Sequence, residues 1–287
     1  MRFLQLTILF LVFTTNLSAQ ANHQKKIKLP KELSEISGLV SWQDSLLIAI
    51  NDSGNSAEVF FLSEDGRLMK RTTLIQQQNT DWEDLTMDDK GNLYIADVGN
   101  NLNNRRDLSI LKVSIEQLYN TDSTRAEKLC FSYEDQVAFP PSKEKFRFNC
   151  EAIFWKNDSI FLITKNESKI KYTPDWDRAP RIYAISDQPG NYTASQIHLA
   201  ALNKFRFNRR GISELVTAAH FQHDQLILLT YKKIITFPWS GSDNANNVQL
   251  RWRQHEAISC SNSGNMYIGA EHHRFFGGPF LIKRRCK

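Results

Sequence analysis

Apolar and polar residues alternate with period two along most of the chain, in short runs punctuated by turn residues, and helical periodicity is almost absent. Ile36–Trp42, Leu46–Ile50, Glu58–Leu62 and Leu68–Leu74 predict four successive strands, with Asp65-Gly66 at a tight turn. A second group follows Asp81: Asn92–Asp97, Ser109–Val113 and Lys128–Tyr133, with Lys90-Gly91 at its first turn and a single helical turn at Ile115–Tyr119. Glu151–Trp155, Ser159–Thr164, Arg181–Ile185 and Gln196–Leu199 make a third group, and Leu215–Phe221, Gln225–Tyr231, Ile234–Trp239 and Val248–Arg253 a fourth. The fifth holds only Ala257–Cys260, Asn265–Ala270 and Pro279–Arg284.

Each group opens on the same phrase, an acidic residue ahead of an aliphatic one: Glu35, Glu83, Glu151, Glu214 and Glu256. A β phrase recurring about every 40–65 residues predicts radial repetition, an all-β propeller. Five blades are counted. The strand missing from the fifth is supplied by Lys26–Leu29, which ends at Pro30 and would close the ring non-covalently. A sixth blade has room only if Glu134–Phe148 and Asn166–Pro180 conceal further strands. A second echo, Lys145-Phe-Arg-Phe-Asn149 and Lys204-Phe-Arg-Phe-Asn208, alternates aromatic and basic residues as a strand with one packed and one wet face does.

Residues 1–21 read as a cleavable leader: Arg2, an apolar Phe3–Phe13 segment, and small residues at Leu17-Ser-Ala-Gln-Ala21. The apolar segment is too short for a stop-transfer span, and no later segment suits membrane insertion. The remainder, 22–287, reads as a single propeller domain of an exported protein, periplasmic or extracellular. The formal charge of +5 falls by one without Arg2, and the basic residues are not gathered on one face, which argues against a nucleic-acid partner. Oligomeric state is not encoded in any pattern here. Cys130, Cys150, Cys260 and Cys286 match no zinc spacing. In an oxidising compartment they allow three pairings, of which Cys260 with Cys286 would pin the last blade, while four buried thiols serve equally well.

Strand direction indicates where chemistry would sit. In a propeller the innermost strand of each blade starts at one mouth of the channel, and the next strand returns to it. The phrase-opening glutamates should therefore share one rim with Asn51-Asp52, Asp97, Lys165-Asn166, Tyr231-Lys232 and Glu271-His272. Converging carboxylates raise one another's pKa unless a cation or donors compensate. Their hard oxygens suit calcium or magnesium. Equally, such residues can accept backbone N–H bonds and simply fasten neighbouring blades.

On this reading Asp52, Asp97, Arg105, Lys165, Lys232 and Glu271 are candidates for holding a small polar or anionic ligand. Glu83, Glu151 and His255 are candidates for acid–base work. Thr80-Asp-Trp-Glu-Asp84 sets a Trp beside three carboxylates, to stack on a sugar or to cap the core. The Asn-rich loop Asp97–Arg106 offers an anion site or a plain connector. No G-x-S-x-G elbow, H-E-x-x-H pair or phosphate-cradling loop occurs.

Glu35-Ile-Ser-Gly-Leu39 with Asn51-Asp-Ser-Gly54, Asp81-Trp-Glu-Asp84 with Tyr94-Ile-Ala-Asp-Val-Gly99, and His255-Glu-Ala-Ile258 with Ala270-Glu271 resemble a group of secreted bacterial propellers, Bacteroidota-like in their leader. That group is related to phytase-like esterase and gluconolactonase-type propellers. The resemblance implies a divalent ion such as calcium at the mouth, with Glu35, Glu83, Glu151 and Glu256 as candidate ligands. It also implies (phospho)esterase-like hydrolysis. The chain departs from the group at Val216-Thr-Ala-Ala219 and Glu271-His-His273, and it lacks the full calcium set of true phytases. A non-catalytic binding or scaffold propeller is the alternative.

Overall fold

The computed structural model of the protein describes residues 24–165, 179–199, 202, 215–240, 245–251, 253–275 and 277–286. Residues 1–21, expected to be a leader, Glu214, residues 166–178 of the Asn166–Pro180 segment and Lys204–Asn208 lie outside them. β1 (Lys25–Lys28) opens the described chain. Then come four antiparallel meanders. The first is β2 (Ile36–Trp42), β3 (Leu46–Asn51), β4 (Glu58–Ser63) and β5 (Leu68–Leu74). The second is β6 (Trp82–Met87), β7 (Asn92–Asp97), β8 (Ser109–Ser114) and, after α1 (Ile115–Asn120) and β9 (Ser123–Thr124), β10 (Glu127–Tyr133). The third is β11 (Asn149–Lys156), β12 (Ser159–Lys165), β13 (Arg181–Ser186) and β14 (Gly190–Ile197). The fourth is β15 (Val216–Gln222), β16 (Gln225–Thr230), β17 (Lys233–Pro238) and β18 (Asn246–Gln249).

β19 (His255–Cys260), β20 (Asn265–Ala270) and β21 (Phe280–Arg285) complete the set, and β1 pairs antiparallel with β21 as the fourth strand of that last sheet. The first strands pack in a closed cycle, β2–β6–β11–β15–β19 and back to β2. The fold is a β-propeller, closed by its N-terminal strand, and the described residues form five such units. Glu134–Phe148 holds no strand, only a short 3-10 turn at Lys143–Lys145. No helix among the described residues is long and apolar enough to cross a membrane.

Three strand expectations shift. The last strand of the fourth unit, expected over Val248–Arg253, is Asn246–Gln249. The last strand of the third unit starts at Gly190 rather than Gln196, because β14 pairs in parallel with β10 from Leu129↔Gly190 onward. This joins the second and third units edge to edge and covers both outer edges. Arg147, expected on an exposed strand face, is instead buried in a non-strand segment, where it donates to the Glu144 carbonyl oxygen.

The alternating pattern explains the packing. Each sheet is sandwiched between two others, so both faces are apolar and adjacent residues enter different cores. Ile48 and Ile50 of β3 face β6–β8 residues such as Leu85, Ile95 and Leu111, whereas Leu47 and Ala49 face Ala257, Tyr267 and Leu281. Five hydrophobic clusters result, one for each interface between successive units.

Near its start every inner strand carries a β-bulge, with register shifts at Ile36/Gly38, Trp82/Leu85, Cys150/Ala152, Val216/Ala218 and His255/Ala257. A bulge frees a residue from the ladder and re-aims it. The residues so placed are Ser37, Glu83 with Asp84, Glu151, Thr217 and Glu256. The acidic phrase is thus not in one register: Glu35 precedes β2, and the fourth unit offers Thr217 at the bulge.

Asp84 ties the axis together. Its Oδ1 accepts from the Leu85 N–H at 2.8 Å, and its Oδ2 from the N–H groups of Ile153 at 2.9 Å and Ala219 at 3.3 Å. One side chain therefore joins the second, third and fourth units. Burial pushes its carboxyl well above the usual range, against the pull of those three donors. Ser259 Oγ accepts from the Ser41 N–H, and Thr217 Oγ1 donates to the His255 carbonyl oxygen, fastening other neighbours. Gly38 makes the close approach of β2 to β6 possible, since a Cβ there would meet Leu85 N at 2.9 Å.

Replacing Asp84 with Ala strands three buried N–H groups and is expected to cost about 3 kcal/mol or more. For a chain of this size that corresponds to a melting point lower by roughly 6–12 °C. Calorimetric melting beside Glu83→Gln, a neighbour with no such bonds, measures it. Equal melting of the two variants would refute the fastening role.

Candidate functional site

The mouth where the inner strands begin gathers ionisable groups from every unit. Asp52 follows β3, Asp81 precedes β6, and Glu83 sits on the β6 bulge. Asp97 ends β7, Glu151 occupies the β11 bulge and Lys165 ends β12. Tyr231 follows β16, Glu256 occupies the β19 bulge, and Glu271 follows β20.

Lys165 is the hub of one half. Its Nζ lies 2.7 Å from Glu151 Oε2, and both side chains are almost fully buried. Asn149 Nδ2 donates to the other Glu151 oxygen at 2.5 Å. The Tyr231 ring centroid is 5.8 Å from the same ammonium. Burial works against the Lys165 charge, but Glu151, then Tyr231, Glu256 and Glu83, outweigh it and hold the ammonium well above its ordinary pKa.

Asp52, Asp81 and Glu83 form the other half. Each presents one carboxylate oxygen, and the three oxygens lie within 4.8 Å of one another. Asn79 braces them, donating from Nδ2 to the carbonyl oxygens of Asn51 at 2.9 Å and Asp52 at 2.7 Å while its Oδ1 accepts from the Trp82 N–H. Gly99 leaves the room they occupy: a Cβ at that position would collide with the carboxylates of Asp81 and Glu83. In this arrangement any larger residue there would push the two side chains aside.

Charge is unbalanced here. Burial, followed by the Asp52 charge, raises the Asp81 carboxyl, and burial with Glu151 and Asp52 raises Glu83 well above the usual range. Asp52 and Glu256 are raised mainly by burial. Burial, then Asp52 and Glu35, pushes Glu271 to about 8. Among the described residues, the buried ammonium of Lys165 does not neutralise this set.

The other sequence candidates are spoken for or lie elsewhere. Asp97 pairs with Arg105 at 2.9 Å, and Arg105 also reaches Asp107 at 3.0 Å and the Gly99 carbonyl oxygen at 2.9 Å. Its guanidinium is a brace for the loop carrying Gly99. The Asn-rich loop is a clamp as well: Asn103 Oδ1 accepts from the N–H groups of Arg147 and Phe148, and the Asn100 N–H donates to Asn149 Oδ1. Glu35 is exposed and accepts from Asn55 Nδ2 at 2.6 Å, although its charge is still felt by Asp52 and Glu271. Lys232 is exposed. His255 is fully buried, 3.3 Å from the Tyr231 carbonyl oxygen, and burial lowers its pKa to about 4. Trp82 caps the core and is fully buried. Asp81 was not singled out as a ligand.

A separate cavity of about 410 Å³ opens at the other end of the axis, lined in part by Met87, Trp155, His220 and Phe221, and shares no residue with the carboxylate rim.

No protein-family model matches the chain, and no curated protein is similar to it in sequence. Solved structures share its fold. A glutaminyl cyclase from Myxococcus xanthus superposes with a TM-score of 0.55 at 12% identity, over 91% of this chain and 94% of that one. A gluconolactonase from Xanthomonas campestris gives 0.51 at 9% identity, over 91% and 90%. At such identities the likeness speaks for the propeller architecture and not for an activity.

The raised carboxyls carry a sign. Folded Glu271 holds a proton up to about 8, whereas in the unfolded chain it releases it near its ordinary value of 4.5. Between those limits the folded state binds more protons, so its stability falls as pH rises. The melting temperature of the wild type minus that of Glu271→Gln is expected to drop by on the order of a few degrees from pH 5 to pH 9 in chelator. A difference that stays flat or rises would contradict the buried placement of this carboxyl.

Proposed function

We propose that this chain is an exported propeller that holds a divalent cation, calcium, between Asp52, Asp81 and Glu83, and binds a small polar or anionic ligand at the same mouth. We further propose that it hydrolyses an ester or phosphoester there. The observation that carries the reading is the convergence of three carboxylate oxygens over Gly99, at a rim already overfull of negative charge. Hard carboxylate donors with no His or Cys among them suit calcium better than zinc. Of the ligands that the resemblance implied, Glu83 is kept. Glu151 is given instead to Lys165, and Asp52 and Asp81 take the remaining places.

A bound divalent cation supplies charge that offsets these carboxylates and polarises an ester or phosphoryl oxygen. The chain's own residues do the rest. Lys165, fixed by Glu151, keeps a buried ammonium at the axis, placed to donate to an oxygen of a ligand that the cation holds. Glu271, which exchanges its proton near neutrality, is suited to take a proton from the attacking water and to return it to the leaving oxygen. Arg105, through Gly99, positions the carboxylates without touching the ligand. The alternative, a scaffold propeller whose acidic repeat only fastens blades, has Asp84 in its favour. It accounts for Asp52 and Asp81 only through Ser53, and it gives Glu83 no hydrogen-bond partner among the described residues.

Saturating calcium is expected to raise the melting temperature by roughly 5–10 °C over chelator, from about 2.7 kcal/mol at a hundredfold excess over Kd. Asp81→Asn combined with Glu83→Gln should abolish that shift. Hydrolysis of p-nitrophenyl phosphate or acetate should be lost in chelator and in Glu271→Gln. No calcium shift in the wild type would overturn the metal site. A shift with no hydrolysis of either ester would leave a binding propeller and overturn the catalytic half.

A further inference from the structure

We infer that Cys260 and Cys286 form a disulfide that locks the C-terminal end of the chain onto the innermost strand of the sheet that closes the ring. Four cysteines are present, and among the described contacts only these two bring their sulfurs together: Cys286 Sγ lies 2.9 Å from Cys260 Sγ. A bond of about 2.05 Å is reached by a small side-chain adjustment. Cys130 lies on β10 and Cys150 on β11, and the Cys150 thiol is turned towards the Ala152 carbonyl oxygen at 3.5 Å.

The path of the chain shows what the bond would do. Cys260 ends β19, and its partner across the ladder is Met266 of β20, which in turn pairs with Arg284 of β21. Beyond Arg285 the chain crosses beneath the β19–β20 turn: the Cys286 N–H donates to the Gly264 carbonyl oxygen at 3.0 Å, and Arg285 Nη1 donates to that of Ser263 at 2.9 Å. β21 carries β1 on its outer side, and β1 is the strand by which the propeller closes. The bond would tie the far end of β21, the strand on which β1 docks, back to β19.

Access sets the order of steps. Cys286 is part-exposed and Cys260 is buried. The Cys286 thiolate is favoured by the Cys260 S–H and by Arg284 and Arg285. It attacks a sulfur of an external disulfide, supplied by glutathione disulfide or a thiol–disulfide oxidoreductase, and displaces one thiol. Cys260 loses its proton and attacks the Cys286 sulfur of the mixed disulfide, displacing the second thiol. Two cysteine thiols become one bond, and the external disulfide is reduced to two thiols.

The test is independent of the mouth and its chemistry. The full chain is equilibrated in a glutathione redox buffer, denatured, alkylated and analysed by intact and peptide mass. Two alkylated cysteines, Cys130 and Cys150, and one bridged peptide pair containing Cys260 and Cys286 are expected. Four alkylated cysteines, or a bridge between any other pair, would overturn the inference. Reduction should lower the melting temperature of the oxidised wild type by roughly 5–10 °C, since the bond closes a loop between cysteines 26 residues apart. It should leave Cys286→Ser unmoved. Equal effects of reductant on both proteins would show that the bond does not lock the ring, and the mass result stands even if the variant fails to fold.

Discussion

Five inner strands brought around one axis leave space for very few side chains, and the bulge near the start of each strand decides which ones occupy it. Glu83, Glu151 and Glu256 reach the mouth through that constraint, and the ends of neighbouring strands bring the other groups to them. An extended strand would send its residues alternately into the two flanking cores, and no polar group could be spared for the channel. The extra residue in each bulge escapes the alternation. On β6 the bulge spans Glu83 and Asp84, and the two carboxylates part company. Asp84 turns to the backbone N–H groups of two neighbouring units, and Glu83 is left to the rim.

That division separates two roles that a ring of acidic residues is equally able to play. Fastening needs donors at hydrogen-bond distance, which Asp84 has in full. Ligand binding needs acceptors left over, held in place and short of positive charge. Asp52, Asp81 and Glu83 meet that description: the backbone on either side is braced by Asn79, Asp97 and Arg105, while their oxygens face one another. Lys165 is committed to Glu151. The cost of burying this much like charge is the thermodynamic argument for the cation proposed at the mouth.

The architecture was largely legible in the chain because period-two alternation, turn residues and the missing strand of the fifth group are local signals. β1 was read within a residue of its position, and its pairing with β21 followed from counting. Register was not legible. Glu35-Ile-Ser-Gly-Leu39 looks like Glu83-Asp-Leu85, but the bulge falls two residues after Glu35 and on Glu83 itself, because register is set by pairing with the second strand. The roles of Arg105 and His255 were hidden for a different reason. Whether a guanidinium meets a ligand or a neighbouring Asp, and whether an imidazole faces the channel or the core, depends on contacts between segments far apart in sequence. Gly99 also passed as a loop residue, since its meaning appears only when two carboxylates stand against it.

The central claim is that a cation sits among three particular carboxylates at the mouth. A crystal of the full chain grown with manganese in place of calcium, measured for anomalous scattering, tests it most directly. The expected result is one strong peak within about 2.5 Å of an oxygen from each of Asp52, Asp81 and Glu83. A map with no peak there, or with the metal between Glu151 and Glu256 instead, would contradict it.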